Sequence, residues 1–221
     1  MWVRTQDAIA EAASRLALHI ESVIDARGEA RLAIPGGSAT TVVERLRVEL
    51  GSRWQRVALT WVDERCAALQ HADSNRGAAY REGALDDASP SAYELALYED
   101  GERPDEAARR VDRLLADRFS GALDATLLGM GPDGHIASLF PGRVWEGPTR
   151  ALHVTESPKP PPDRITLTRS MIATAPFHLL IATGEAKRDA LVALRRGDDS
   201  LPAFGLPGLV VVTDLSLEDE P

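Results

Sequence analysis

The stretch Ala125-Thr-Leu-Leu-Gly-Met-Gly-Pro-Asp-Gly-His135 is the most informative part of the sequence for the fold. Its first four residues form a short apolar run suited to a buried strand, and the glycines that follow end that strand. The turn then places an imidazole, His135, two residues after the Asp133 carboxylate. We therefore predict a buried strand whose carboxyl end carries chemically active side chains in a glycine-rich loop.

Apolar runs of strand length recur along the chain and alternate with amphipathic helical patterns. The predicted strands cover 31–34, 57–62, 125–128, 177–183 and 209–213, and the helices cover about 5–27, 42–50, a segment opening at Pro104, and about 185–196. Thr5 is the expected cap of the first helix, Gly28 its stop, and Ile9 and Val23 part of its apolar face. This alternation predicts an α/β domain, 1–221, with a mostly parallel sheet covered on both faces.

Composition restricts the classes of partner. The 221 residues carry a formal net charge of −9, with 44% hydrophobic and 27% charged residues. An acidic chain is poorly suited to nucleic acid or anionic membrane, because both attract basic surfaces. Cys66 is the single cysteine, and charges interrupt the apolar residues after Met1. We therefore expect a soluble, cytoplasmic protein without disulfides, and the acidic charge remains compatible with an anionic small-molecule substrate.

Four glycine-rich or charged turns each follow a predicted strand. They are Pro35-Gly36-Gly37-Ser38, Asp63-Glu64-Arg65, Gly129 to His135, and Thr183 to Lys187. The carboxyl ends of parallel strands meet at one edge of a sheet, where ligands bind. The turns should therefore converge in space although they lie far apart in sequence.

Two of these turns have both a functional and a structural interpretation. Gly36-Gly37-Ser38 precedes a helix and could hold a phosphate with backbone N–H groups, or could be a plain turn with Ser38 as N-cap. Gly-Gly-Ser is a short motif that favours neither interpretation over the other. In Asp63-Glu64-Arg65, the arginine could orient a carbonyl or phosphate while a carboxylate holds it. A solvated salt-bridge cluster is the better interpretation of the triplet taken alone.

The loop ending at His135 gives the strongest chemical signal. An imidazole can accept a proton from water near neutral pH, and Asp133 could fix its tautomer. A structural histidine is the alternative, which the glycine-rich position after a strand disfavours. Lys187 could reach a phosphate from the first turn of its helix. His19 and His178 fall inside predicted elements and are interpreted as structural, and no histidine spacing indicates a metal site.

The motifs together resemble the 6-phosphogluconolactonase family, over roughly residues 32 to 190. The matching stretches are Ile34-Pro-Gly-Gly-Ser38, Trp61-Val-Asp-Glu-Arg65 with His71-Ala-Asp-Ser-Asn75, Leu128 to Gly142, Ser157 to Leu167, and Thr183-Gly-Glu-Ala-Lys187. Two departures occur: Ala39-Thr40 replaces the usual Thr-Pro, and Ala67-Ala68 replaces Val-Pro.

The resemblance implies a three-layer α/β fold related to the glucosamine-6-phosphate deaminases. It also implies hydrolysis of 6-phospho-D-glucono-1,5-lactone in the pentose phosphate pathway, without metal or organic cofactor. His135 would be the general base and Asp133 its supporting carboxylate. The phosphate or lactone oxygens would be held by Arg65, Lys187 and the turn Gly36-Gly37-Ser38, while Asp63, Lys159 and Arg164 would complete the substrate pocket.

Two other functions stay open at this point. The related sugar-phosphate deaminases share the Asp-Gly-His loop but continue with Asn-Glu-Pro, and this chain has Leu139-Phe140-Pro141, which lacks the proton-transferring Glu. A sugar-phosphate sensor without turnover would be expected to carry a DNA-binding segment or a damaged loop. The sequence shows neither feature. For the oligomeric state, the sequence is compatible with a monomer or a small homo-oligomer.

Overall fold

The computed structural model of the chain describes residues 1–143 and 147–217. The strands are β1 Trp2–Arg4, β2 Ala30–Ile34, β3 Val57–Trp61, β4 Asp63–Arg65, β5 Tyr93–Leu95, β6 Ala125–Gly129, β7 Ala151–Val154, β8 Arg164–Leu167, β9 Phe177–Ile181 and β10 Leu209–Thr213. The α-helices are α1 Ala8–Arg27, α2 Thr40–Leu50, α3 Asn75–Arg81, α4 Pro104–Arg118, α5 Arg169–Ile172 and α6 Arg188–Arg196. Within these ranges, no helix combines the length and apolarity that a membrane span requires.

A seven-stranded sheet forms the centre of the molecule. Its strand order is β1-β10-β9-β6-β2-β3-β5, and every neighbouring pair is parallel. The central strands are almost fully buried, which explains why they read as continuous apolar runs rather than alternating ones. The predicted mostly parallel α/β fold is therefore confirmed. The carboxyl ends of β2, β3, β6 and β9 lie side by side at one edge.

Helix α1 begins later than the sequence pattern predicted. Asp7, not Thr5, is its N-cap, and the Asp7 carboxylate accepts a hydrogen bond from the Ala10 N–H at 3.1 Å. Thr5 instead accepts from the Asp7 N–H at 3.2 Å, so it precedes the cap. Gly28 ends the helix as predicted. The prediction for Ile9 was wrong: Ile9 is exposed, and the buried residues at the start of the helix are the small alanines Ala8, Ala12 and Ala13.

A second, antiparallel sheet was not predicted. It has the order β4-β8-β7, and Asp63 pairs with Thr166 while Arg65 pairs with Arg164. The charged triplet that was expected to be a turn is thus a short strand. Three charged residues carry no apolar periodicity, so only pairing with β8 defines this strand. The small sheet starts two residues after β3 ends, which brings β8 and the segment before it to the edge where the central strands end.

Candidate active site

A cavity of about 580 Å³ opens at the carboxyl ends of the central strands. The predicted convergence of the four turns is observed there, since each of them contributes to its lining. The predicted site residues in the wall are Gly36, Gly37, Ser38, Asp63, Arg65, His135, Lys159, Arg164 and Lys187. Asp133 does not line the wall but is bonded to His135 beside it. The ten predicted residues therefore meet in one place.

The loop after β6 folds tightly so that His135 turns back toward the cavity. Its backbone closes with the Gly131 N–H bonded to the His135 carbonyl at 2.8 Å and the Gly134 N–H bonded to the Gly131 carbonyl at 2.9 Å. A Cβ atom on Gly131 would lie 2.0 Å from His135 Nδ1 and 2.4 Å from Asp133 Oδ1. Only glycine therefore fits at position 131 while the two side chains stay together.

Asp133 fixes the tautomer of His135. Its Oδ1 lies 2.5 Å from His135 Nδ1, and an ionised carboxylate can only accept, so Nδ1 carries the hydrogen. The other nitrogen, Nε2, makes no hydrogen bond to any residue that the structure describes and keeps a free lone pair. The ring packs on Phe140 with centroids 4.9 Å apart. This arrangement presents a fixed proton acceptor at the cavity.

The surroundings favour neutral His135 and ionised Asp133. Burial lowers the pKa of His135, and the positive charge of Lys159 lowers it further, against the opposing charges of Asp133 and Asp63. Burial alone would raise the pKa of Asp133, but the hydrogen bond and charge of His135 outweigh it and the pKa falls. At neutral pH the imidazole is therefore unprotonated, as a general base must be.

The chain has two lysines, Lys159 and Lys187, and both line this cavity. Lys159 Nζ lies 3.4 Å from Asp133 Oδ1 and 3.5 Å from His135 Nδ1. Burial lowers the pKa of Lys187, and the charge of Lys159 adds to this while Asp133 opposes it. Within the described ranges the Lys187 ammonium makes no hydrogen bond, while the Lys187 backbone N–H donates to the Gly184 carbonyl at 3.0 Å. Two cations therefore line the same cavity as His135, where they can contact an anionic substrate.

The turn after β2 forms one 3₁₀ turn, Gly37–Ala39, that continues into α2. The alternative interpretation of Ser38 as an N-cap is wrong, because Gly36 and Ala39 occupy the cap positions and Ser38 is exposed at the cavity. Asn75 Oδ1 fills the space beside Gly36, where an added Cβ would approach within 2.0 Å. Backbone N–H groups of a first helical turn lack partners within the helix, so they suit a phosphate.

Asp63 and Arg164 are more deeply buried than the sequence suggested. The exposed fractions of these residues are 6% and 3%. Asp63 Oδ2 accepts from Ser138 Oγ at 2.6 Å and lies 3.9 Å from Arg164 Nη1. Arg65 is less buried, and its Nη1 donates to the Asp73 carbonyl at 3.0 Å. The Asp63-Glu64-Arg65 triplet is therefore not a solvated salt-bridge cluster, since its acids are buried.

Sequence reasoning missed two polar residues of this site, Asn75 and Ser138. Asn75 is the first residue of α3, after the N-cap Ser74, and its Nδ2 donates to the Asp63 carbonyl at 3.0 Å. Ser138 is fully buried within the otherwise apolar run from Ile136 to Phe140. A polar residue in such a run was the available signal, because buried hydroxyls need a partner.

The remaining histidines near the sheet have structural positions. His178 is fully buried in β9, with Nδ1 2.7 Å from Thr126 Oγ1. His19 stacks on Phe177 with ring centroids 4.6 Å apart. Across residues 1–143 and 147–217, no group of three His, Cys, Asp or Glu side chains is arranged to hold a metal ion.

Known proteins resemble this chain in sequence and in fold. Residues 4–211 match the family described as glucosamine-6-phosphate isomerases/6-phosphogluconolactonase. A 6-phosphogluconolactonase of Mycobacterium leprae is 37% identical over 96% of this chain and 91% of its own length. One from Pseudomonas putida is 34% identical, with 83% of this chain and 77% of its own length covered.

Solved structures of two activities share the fold. A 6-phosphogluconolactonase from Shewanella baltica superposes with a TM-score of 0.81 at 26% identity, covering 96% of this chain and 95% of its own. A monomeric glucosamine-6-phosphate deaminase gives 0.78 at 20% identity, covering 96% and 95%. The likeness to the deaminase shows the fold alone. With the match over residues 4–211 and relatives above 30% identity, this chain belongs to the glucosamine-6-phosphate isomerase/6-phosphogluconolactonase family.

Proposed function

We propose that this chain is a 6-phosphogluconolactonase, which hydrolyses 6-phospho-D-glucono-1,5-lactone to 6-phospho-D-gluconate in the oxidative branch of the pentose phosphate pathway. Relatives at 37% and 34% identity carry that name. The observation that carries the proposal is the dyad of His135 and Asp133, joined at 2.5 Å beside a cavity that contains both lysines. A neutral imidazole next to cations suits water attack on an anionic ester.

In the first step, His135 Nε2 removes a proton from a water molecule as the water oxygen attacks the lactone carbonyl carbon. The carbonyl π electrons move to its oxygen and produce a tetrahedral oxyanion. Lys159 is the cation nearest to the dyad, so we assign it to this oxyanion. Asp133 stabilises the imidazolium that forms, because its carboxylate accepts from Nδ1 throughout.

In the second step, the oxyanion electrons re-form the carbonyl and the bond from that carbon to the ring oxygen breaks. The ring oxygen leaves as an alkoxide and takes the proton that His135 had accepted. The products are an open-chain carboxylic acid, which ionises at neutral pH, and neutral His135. No acyl-enzyme is needed, since water is the nucleophile.

The phosphate occupies the part of the cavity between the Gly36–Ser38 turn and the charged side chains of Arg65 and Lys187. The turn offers backbone N–H groups at the start of α2, where the helix dipole favours an anion. Arg65 is held in place by the Asp73 carbonyl. We assign Asp63 and Arg164, which are bonded to protein groups, to the wall behind the substrate rather than to direct phosphate contact.

The shared fold leaves the deaminase activity as the main alternative. Deaminases of this superfamily would place a Glu where this chain has Phe140, and Phe140 is buried against the His135 ring. A phenyl ring cannot transfer a proton, so the second acid–base group of a deaminase is missing at this position. The sensor alternative is disfavoured because the Asp133–His135 pair and the cavity are both present.

Several finer statements belong to the same proposal. We infer one domain over 1–221, supported by a hydrophobic cluster that, among the described residues, has members from Ala8 to Leu217. A cytoplasmic location and the absence of a cofactor stay expectations of the sequence and the family resemblance. The partner is the phosphorylated lactone rather than nucleic acid or membrane, and the assembly is a monomer or small homo-oligomer.

The test compares wild type with His135→Ala on freshly prepared 6-phosphogluconolactone, with the spontaneous hydrolysis subtracted. We expect fast hydrolysis by wild type and a loss of about 10²–10⁴-fold in the variant. A folded variant with near-normal turnover would remove His135 as the base. Wild-type rates equal to the blank, with ammonia released from glucosamine 6-phosphate, would replace the lactonase by the deaminase. Sugar-phosphate binding without either reaction would favour the sensor.

A further inference from the structure

The segment 157–163, which joins β7 to β8, cannot hold its own shape through backbone hydrogen bonds. Four of its seven residues are prolines, which have no N–H to donate. Ser157 and Pro162 close it with one backbone hydrogen bond of 3.2 Å, and the carbonyls between them need donors from elsewhere. This segment carries Lys159, the cation closest to His135. Whatever holds these carbonyls therefore decides where that charge stands.

The donor is Arg164, the first residue of β8. Its Nη2 donates to the carbonyls of Lys159 at 3.0 Å and Pro160 at 3.3 Å, and its Nε donates to the carbonyl of Pro161 at 3.2 Å. A planar guanidinium with five N–H groups can meet three neighbouring carbonyls, which the single ammonium of a lysine cannot do in the same geometry. Since these groups are committed to protein oxygens, Arg164 has little left for a substrate.

The opposite side of Arg164 is tied to the loop that carries His135. Its Nη1 donates to Ser138 Oγ at 3.4 Å and lies 3.9 Å from Asp63 Oδ2, and Ser138 Oγ donates to Asp63 at 2.6 Å. Ser138 follows His135 by three residues, and its backbone N–H also donates to Thr166 on β8 at 3.3 Å. The cluster Asp63–Ser138–Arg164 thus joins the loop of the base to the segment of the cation.

We propose that the Asp63–Ser138–Arg164 cluster is a positioning device that fixes the distance between Lys159 and His135 and acts on the reaction through these two residues. This proposal rests on the proposed lactonase function, in which His135 is the base and Lys159 the cation that stabilises the oxyanion, so the distance between them affects the reaction. Burying a charged pair is unfavourable unless its remaining hydrogen bonds are satisfied, and here both partners are nearly fully buried and bonded. The location of the pair, between the two catalytic segments, gives that burial a role.

The most direct change is Ser138→Ala, which removes the bridging hydroxyl but keeps the Asp63 and Arg164 charges together. Arg164→Ala is a poorer test, because it leaves a buried carboxylate without its cation and endangers folding. Lys159→Met removes the charge itself, and Ser91→Ala is the matched control. Ser91 also donates a side-chain hydrogen bond, to the Tyr93 carbonyl, but lies outside the cavity wall.

The first readout is the titration of the His135 ring by NMR in the free protein, which does not depend on any activity. The charged groups that face the ring are Asp133 on its own loop, Lys159 from the proline segment and Asp63 at the start of β4. Lys159 lowers the pKa of His135, so Lys159→Met should raise it. Ser138→Ala should also raise the pKa of His135, because it lets Lys159 move away from the ring. In the double variant Ser138→Ala/Lys159→Met, the pKa of His135 should differ little from that in Lys159→Met alone. A His135 pKa that Ser138→Ala leaves unchanged would overturn the proposal.

The second readout is lactone hydrolysis, which separates this proposal from the lactonase proposal. We expect kcat to fall roughly 10-fold to 100-fold in Ser138→Ala with KM little changed, since a small displacement of a catalytic group has effects of this size. In the Lys159→Met background the same change should cost less than about 2-fold, because the two residues act together. Multiplicative losses would overturn the proposal even if wild type is a lactonase. A ring titration that behaves as expected in an inactive wild type would instead remove the lactonase function.

Discussion

The surroundings of His135 and His178 differ in the partner and in the access of each ring. Each imidazole is held through Nδ1 by one oxygen atom, from Asp133 at 2.5 Å and from Thr126 at 2.7 Å. Burial lowers the pKa of both rings. His135 stands at the cavity with a carboxylate partner, whereas His178 is enclosed in the sheet with a hydroxyl. Burial alone therefore does not make a base; a carboxylate partner and an open second nitrogen are also needed.

The largest expected effect separates the two rings by parallel substitution. His135→Gln should reduce kcat/KM by about 10²–10⁴-fold with little change in Tm, because it removes the base from a partly open site. His178→Gln should leave the activity of the folded fraction near wild type and lower Tm, because it disturbs the sheet interior. Lactone hydrolysis and thermal unfolding of both variants check this. Loss of activity in a fully folded His178→Gln would contradict the purely structural role of His178.

The second effect is a pH dependence of stability that belongs to His178. Burial lowers the pKa of this ring from its usual 6.5 to about 4. The unfolded chain therefore binds the extra proton between these values, so stability is complete above pH 6.5 and falls as the pH drops toward 4. A shift of that size corresponds to about 3 kcal/mol. The free energy of unfolding in urea, measured from pH 7.5 to 4.5, should fall with decreasing pH in wild type, and most of this fall should be absent in His178→Gln. An equal fall in both proteins would contradict the assignment to His178.

Asp133→Asn comes next and sharpens the role of the carboxylate. The amide cannot stabilise the imidazolium, so we expect kcat to fall by about 10-fold to 100-fold, less than on losing the base itself. Asp133 raises the pKa of His135, so removing its charge should move the acid limb of kcat/KM to lower pH. Lys159→Met should move the same limb to higher pH. Shifts in the same direction for both variants would contradict the electrostatic account.

The two regions also show which structure the sequence could reveal. The ends of β2, β6 and β9 were predictable because glycine-rich turns interrupt continuous apolar runs, and the parallel sheet then brought His135 and Lys187 to one edge. The dyad was expected only as a possibility, since a spacing of two residues does not fix a contact. Gly131 makes the contact possible by leaving room for both side chains.

The small antiparallel sheet could not be predicted, and the role of Arg164 depends on it. Strands of three and four residues, such as β4 and β8, have too little periodicity to stand out from loops. Arg164 was interpreted as lining the pocket, which is correct, but its hydrogen bonds go to the carbonyls of the proline segment. Such contacts arise only when two segments fold against each other, so sequence order alone does not contain them.

The smallest expected effect concerns Lys187 and tests whether the phosphate and the reacting lactone use different cations. Lys187→Ala should raise KM by about 10-fold while kcat changes by less than about 2-fold, because phosphate binding that is equal in ground and transition states affects KM alone. Lys187→Arg keeps the charge and should recover most of the affinity. Lys159→Met should instead act mainly on kcat, since that ammonium lies 3.5 Å from the ring of the base. An unchanged KM in Lys187→Ala would remove Lys187 from the phosphate site and leave Arg65 with the turn at Gly36–Ser38 to hold the anion.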